Sequence, residues 1–208
     1  MNRKRNITNR KKKRRKIDNI KAQMRKQFAS MMSNGWSQAV CPELVDDIMP
    51  PGVMKAGSRQ DITEVFKNIY ISNQETAQNI SELTKRDIGL VICLIGELGE
   101  YNYDIYKKNG IEIVHIKIKD SSKENISVYF DRMNKLIEKY TSLGTPILVH
   151  CQAGVSRSTT IVVSYLMGKY DYDYKKSIEI IREKRSFVQP NFGFMDQLEK
   201  YYGKPVLL

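Results

Sequence analysis

The sequence predicts an α/β protein: a mostly parallel central sheet with helices on both faces, preceded by a basic, disordered N-terminal tail. Three observations carry this. Between residues 61 and 205, short β-branched apolar runs alternate with segments of helical period. Leu90-Val-Ile-Cys-Leu-Ile95 is apolar throughout, as suits a strand buried on both faces of a parallel sheet. The whole net charge of +12 falls in residues 1–26, which hold 13 of the 35 Lys and Arg residues and one acid, Asp18. The rest of the chain balances, with 22 basic and 22 acidic residues.

Residues 1–32 form the tail. The block Arg10-Lys-Lys-Lys-Arg-Arg-Lys16 repels itself and has no apolar surface to bury, which predicts disorder. Residues 3–26 suit an import-receptor contact, a polyanion contact with nucleic acid or acidic membrane, or a solvated tail. Ile17, Ile20, Met24, Phe28 and Met31 then share one face of an amphipathic helix. It fits a lid on one domain edge better than a membrane or partner helix. Residues 33–60, broken by Asn34-Gly35, Cys41-Pro42 and Pro50-Pro51-Gly52, read as a linker.

The domain proper spans 61–205. Asn68–Ile71 predicts a short strand. Ser81–Asp87 predicts a helix, closed by Gly89. Leu90–Ile95 and Ile111–Ile118 predict strands. Ile126, Phe130, Met133, Ile137 and Tyr140 recur at helical spacing, and Gly144 and Pro146 end that helix. Pro146–His150 predicts a fourth strand. Helices follow over about 158–169, 174–184 and 191–201. Tyr101, Tyr103 and Tyr106 read as surface packing, and His115 as a satisfied sheet residue.

Composition excludes several classes. Hydrophobic content of 41% with 28% charged residues is that of a soluble globular protein. No run approaches the roughly 18 apolar residues of a membrane span. The N-terminus carries no apolar signal core, so an intracellular protein of the cytoplasm or nucleus is expected. Three cysteines, Cys41, Cys93 and Cys151, are too scattered for a disulfide framework or zinc site. They suit a reducing compartment in which one is reactive.

The chemistry concentrates in His150-Cys151-Gln152-Ala153-Gly154-Val155-Ser156-Arg157-Ser158. A buried strand ends at His150 and a helix begins near Ser158. The turn between them, small-residued with Gly154 at its centre, can gather successive N–H groups into an anion nest. The helix N-terminus behind adds its positive end. Cys151 at the base of such a nest is placed as a thiolate nucleophile. Arg157 offers a planar fork to two phosphate oxygens. The Ser158 hydroxyl is placed to steady the sulfur as it leaves, and His150 to orient the loop. Gln152, Ala153, Gly154, Val155, Ser156 and Arg157 form the phosphate cradle.

His-Cys-x5-Arg-Ser between strand and helix resembles the signature of the cysteine-dependent protein tyrosine phosphatases. The chain is identified as a member of the dual-specificity branch by its short similar region, about 61–203. Ser164-Tyr-Leu-Met167, Pro190-Asn-Phe-Gly-Phe194 with Gln197-Leu198, and Asn68-Ile-Tyr-Ile-Ser72 followed by Ala77 agree with that branch. The resemblance implies a phosphatase-type fold and hydrolysis of phosphotyrosine and phosphoserine or phosphothreonine through a phosphocysteine intermediate. No cofactor or metal is implied. It implies a general acid on a mobile loop about 30 residues before the cysteine, which is Asp120 here, with Glu124 as the alternative. Asn191 is expected to cap the last helix and support the active-site loop. Some members join the nucleophile reversibly to a cysteine on the strand that corresponds to that of Cys93; the other reading of Cys93 is a plain core residue. One relative dimerises through its N-terminal segment, which makes residues 17–60 a candidate homodimer contact.

Phosphoproteins are the expected substrates. The uncharged loop side chains argue against a highly anionic inositol lipid. Two readings compete: an RNA 5′-phosphatase that holds RNA with the basic tail, and a phospho-binding pseudophosphatase. The tail lacks interleaved aromatics, against the first. Cys151, Arg157, Ser158 and Asp120 occur together, against the second.

Overall fold

The computed structural model describes residues 62–96 and 103–206. The chain divides into Met1–Pro51 and Gly52–Leu208, and all described residues belong to the second unit. The tail, its amphipathic stripe and the linker lie outside the described residues.

Among the described residues, five strands build one sheet. They are β1 (Thr63–Phe66), β2 (Ile69–Ser72), β3 (Leu90–Cys93), β4 (Glu112–His115) and β5 (Ile147–His150), in the order β1-β2-β5-β3-β4. Only β1 runs antiparallel, against β2; every other pairing is parallel. The α/β expectation therefore holds. β3 and β5 are buried along their whole length, which explains their unbroken apolar runs.

Two helical layers cover the sheet. The larger core joins Ile71, Ile92 and Val149 to α4 (Phe130–Ser142), α5 (Arg157–Tyr170), α6 (Tyr174–Lys184) and α7 (Phe192–Tyr202). The smaller core joins Val91, Cys93 and Leu148 to α1 (Gln74–Ala77), α2 (Ile80–Thr84) and α3 (Tyr103–Lys108). Alternation along β3 and β5 sends successive side chains to opposite cores. α5 is buried along most of its length, with Ile161–Met167 enclosed by sheet and neighbouring helices.

Several elements differ from the sequence expectation. β1 has only four residues and lies next to the linker, so no period announces it. It pairs with β2 through a two-residue turn in which Asn68 takes φ 61°, a conformation Asn tolerates. The expected strand 111–118 pairs only over Glu112–His115; beyond Ile116 the chain turns toward the site. The helix expected from Ser81 begins at Ile80, capped by the Asn79 side chain on the Glu82 amide. The sequence carries no signal for α3, because two tyrosines and one isoleucine among charges show no apolar period. Tyr106 is a correction: it is 2% exposed, and its hydroxyl donates to the Ala77 carbonyl at 2.8 Å. His115 is satisfied as expected, with Nε2 2.8 Å from the Ile95 carbonyl and Nδ1 3.1 Å from the Tyr103 hydroxyl. No helix among the described residues is long and apolar enough to cross a membrane.

Replacing Tyr106 by Phe removes a buried donor and strands the Ala77 carbonyl. We expect a loss of about 1 kcal/mol in urea denaturation, with an unchanged slope.

Candidate active site

Strand register places the site. Ser72, Cys93 and His150 stand side by side at the carboxyl end of the parallel strands. That edge is where parallel α/β sheets present their loops and helix N-termini. The loop 151–157 leaves β5 there and enters α5 at Arg157.

The loop is shaped by bonds on its outer side. The Gln152 carbonyl accepts from the Gln74 amide at 3.1 Å and the Val155 carbonyl from the Gln189 amide at 3.0 Å. The Gly154 carbonyl accepts from Arg185 Nε at 3.1 Å. The Ser156 carbonyl accepts from the Thr160 amide and hydroxyl inside α5. A trans peptide points its N–H opposite its C=O. Carbonyls drawn outward at 152, 154, 155 and 156 therefore aim the amides of 153, 155, 156 and 157 inward, as an anion nest requires. Gly154 is obligatory in this turn: its φ is +65°, and a Cβ would stand 2.6 Å from the Ser72 carbonyl oxygen.

Inside this ring lie the expected reactive groups. Cys151 is 1% exposed, and its Sγ is 3.4 Å from Ser158 Oγ. Arg157 is 5% exposed, with Nη1 donating to the carbonyls of Leu94 and Ile118, each at 3.0 Å. Those two bonds fix the guanidinium between the ends of β3 and β4. Its Nε is 3.4 Å from Asp120 Oδ2, an ion pair whose alignment falls short of a hydrogen bond.

Asp120, 36 residues before Ser156, is brought onto the loop. Its Oδ1 accepts from Ser156 Oγ and from Asn191 Nδ2, both at 2.8 Å. The Asn191 amide donates in turn to Ser156 Oγ at 3.2 Å, and its Oδ1 caps α7 on the Phe194 amide at 3.0 Å. Asn191 thus joins helix, loop and carboxylate. Glu124 enters the network through its main-chain carbonyl, which accepts from Gln197 Nε2. Gln152 and Ala153 are exposed at the mouth.

His150 is fully buried beneath the loop, with Nδ1 3.4 Å from the Cys151 carbonyl. Burial lowers its pKa from 6.5 to about 4, with the charge of Arg157 acting the same way, so the imidazole is neutral. A neutral ring holding Nδ1–H orients the Cys151 peptide and is unsuited to proton shuttling at neutral pH.

Cys93 faces the other core. It packs with Val91, Ile95, Tyr106 and Leu148, whereas Cys151 belongs to the core beneath α5. Burial pushes its thiol up to about 12. A charge on Cys151 would push it the same way.

Arg185 was not anticipated. Lys184-Arg185 at a helix end looks like a solvated pair of cations, but Arg185 is 0% exposed. It donates to the Gly154 carbonyl and to Thr63 Oγ1 at 2.9 Å, with its guanidinium 4.5 Å from the Phe187 ring centre. Only the packing of α6 against β1 and the loop reveals this. No group of three His, Cys, Asp or Glu among the described residues could hold a metal ion.

A strand-loop-helix nest holding a cysteine and an arginine, with a carboxylate across from it, defines a cysteine-dependent phosphatase site. Comparison with known proteins then specifies the branch. Residues 69–204 match the family "Dual specificity phosphatase, catalytic domain", and the chain belongs to it. The chain is 30% identical over 141 residues to Protein phosphatase Slingshot of Drosophila melanogaster, covering 68% of this chain and 13% of that one. It is 33% identical over 156 residues to Dual specificity protein phosphatase 1B of Arabidopsis thaliana, covering 72% and 90%. The solved structure of DUSP15 superposes with a TM-score of 0.61 at 28% identity, covering 68% and 86%. The chain thus spans only a small part of the length of Slingshot.

Two expectations follow. Arg185→Met removes a charged donor from the buried Gly154 carbonyl and should destabilise the fold by roughly 1.5–3 kcal/mol in urea denaturation. The second concerns pH. Between about 6.5 and 4 the unfolded chain takes up a proton at His150 that the folded one refuses. His150 therefore favours the folded state fully above pH 6.5, and that contribution is lost as pH falls toward 4. Melting curves from pH 7 to 5 should show wild type losing stability more steeply than His150→Asn.

Proposed function

We propose that the chain is a dual-specificity protein phosphatase that removes phosphate from tyrosine and from serine or threonine through a phosphocysteine intermediate. The observation that carries this is the approach of Asp120 to the nest that holds Cys151 and Arg157. The phosphoryl group sits on the inward amides, with Arg157 holding two of its oxygens. The Cys151 thiolate attacks phosphorus in line, so an S–P bond forms as the P–O bond to the substrate breaks. Asp120 gives its proton to the departing oxygen. It then takes a proton from water, whose oxygen attacks phosphorus as the S–P bond breaks. The Ser158 hydroxyl donates to the departing sulfur. His150 orients the Cys151 peptide, and Asn191 holds Asp120.

The match to protein phosphatases over most of the described residues supports a phosphoprotein substrate over RNA. The intact set of Cys151, Arg157, Ser158 and Asp120 supports turnover over mere binding. The charge of residues 3–26 supports an acidic or import-receptor contact there, inside the cell.

Hydrolysis of para-nitrophenyl phosphate in EDTA tests the proposal. Wild type should turn over, Cys151→Ser should not, and Asp120→Ala should retain roughly 10⁻²–10⁻⁴ of the rate. Turnover by Cys151→Ser, or an inactive wild type, would reject it.

A further inference from the structure

The segment 119–127 carries the general acid, yet it has no regular partner strand. Besides the contacts of Asp120 with the nest, it meets the first two turns of α7 at three places beyond Asn191. Gly193 is the first. A Cβ there would stand 2.1 Å from the Ser122 carbonyl oxygen and 2.5 Å from Ser122 Cα. These are backbone atoms, which cannot swing aside as a flexible side chain does. Gln197 is the second and third. Its Nε2 donates to the Glu124 carbonyl at 2.8 Å, and its Oε1 accepts from the Ser127 amide at 3.0 Å. One side chain thus satisfies two main-chain groups of the acid loop, one turn along α7 from Gly193.

These contacts decide where Asp120 stands. Asn191 reaches its carboxylate from the same helix start, and Ser156 reaches it from the nest. Both donate to Oδ1, which leaves Oδ2, the oxygen facing Arg157, to carry the transferred proton. We propose that Gly193 and Gln197 are positioning residues that clamp the acid loop to α7, so that Asp120 is held over the nest before substrate arrives. The inference rests on Asp120 acting as the general acid. The loop is then preset by the helix and does not close on the substrate.

A clamp has a signature that a general loss of stability lacks. Proton donation matters for a poor leaving group and little for a good one. In the full chain, Gln197→Ala should lose about 10–100-fold in kcat/KM on phenyl phosphate, but less than about threefold on 2,4-dinitrophenyl phosphate. Iodoacetate should alkylate Cys151 at the wild-type rate. Amide hydrogen exchange over 119–127 should quicken while β5 and α5 stay protected. Gly193→Ala should act alike and more strongly. In an Asp120→Ala background, Gln197→Ala should add no further loss on phenyl phosphate.

Equal losses on the two phosphates, or unchanged exchange over 119–127, would overturn the clamp. If wild type hydrolyses neither phosphate, the phosphatase reading fails, while the exchange measurement still decides the clamp.

Discussion

The site depends on which way four peptide groups point. A loop of N–H groups facing one another is unfavourable alone, because their dipoles oppose and their carbonyls have lost strand and helix partners. Here the carbonyls of Gln152, Gly154, Val155 and Ser156 are each bonded from outside. Those donors come from the first residue of α1, the end of α6, the segment before α7, and α5 itself. Because peptides are planar, satisfying the carbonyls orients the amides. The nest is therefore built by its outer side, before any phosphate enters, and such preorganisation suits electrostatic stabilisation of a transition state.

That outer ring explains why the domain is assembled as it is. Parallel register between β2, β3 and β5 brings Ser72, Cys93 and His150 level, so the loop leaves the sheet between two strand ends. Arg157 is gripped by the carbonyls of Leu94 and Ile118, just past β3 and β4. A guanidinium held by two carbonyls loses little freedom on meeting a phosphate, so its binding geometry is set in advance. Arg185, buried behind Gly154, repeats the arrangement on the outer side. Two buried arginines thus flank one loop. One faces its phosphate side, and the other holds the carbonyl that makes its central turn.

Asp120 comes from a separate segment that precedes the nest in the chain. Asp120 follows the short strand β4, where the backbone has left the sheet. Its position comes from Ser156 and from the start of α7. Asn191, Gly193 and Gln197 meet the acid loop at successive points. The segments that carry Asp120 and Cys151 are thus tied together by a third.

Much of this was legible in the sequence. Apolar runs identified the buried strands because β3 and β5 have core on both faces. Cys151, Arg157 and Ser158 were readable together because their spacing reflects local geometry, a strand end, a tight turn and a helix start, whereas Asp120, 31 positions before Cys151, came only from the family resemblance. Asn191 was readable as a cap, since capping is decided within three residues. The four-residue strand β1 was not legible, for it is stabilised by pairing with β2 and has too few residues for a period. Tyr106 looked like a surface ring because α3 presents it to Ala77 only after folding. Arg185 looked like a solvated cation at a helix end, and Gln197 like part of a family motif with no stated task. Their partners lie 31 and 73 positions away along the chain, and no local pattern encodes such a separation. The sequence alone determined which groups stand together at the site, because Cys151, Arg157 and the helix start are chain neighbours. Only the tertiary structure decided how those groups are held, because each holding bond joins segments that become neighbours through the packing of helices on the sheet.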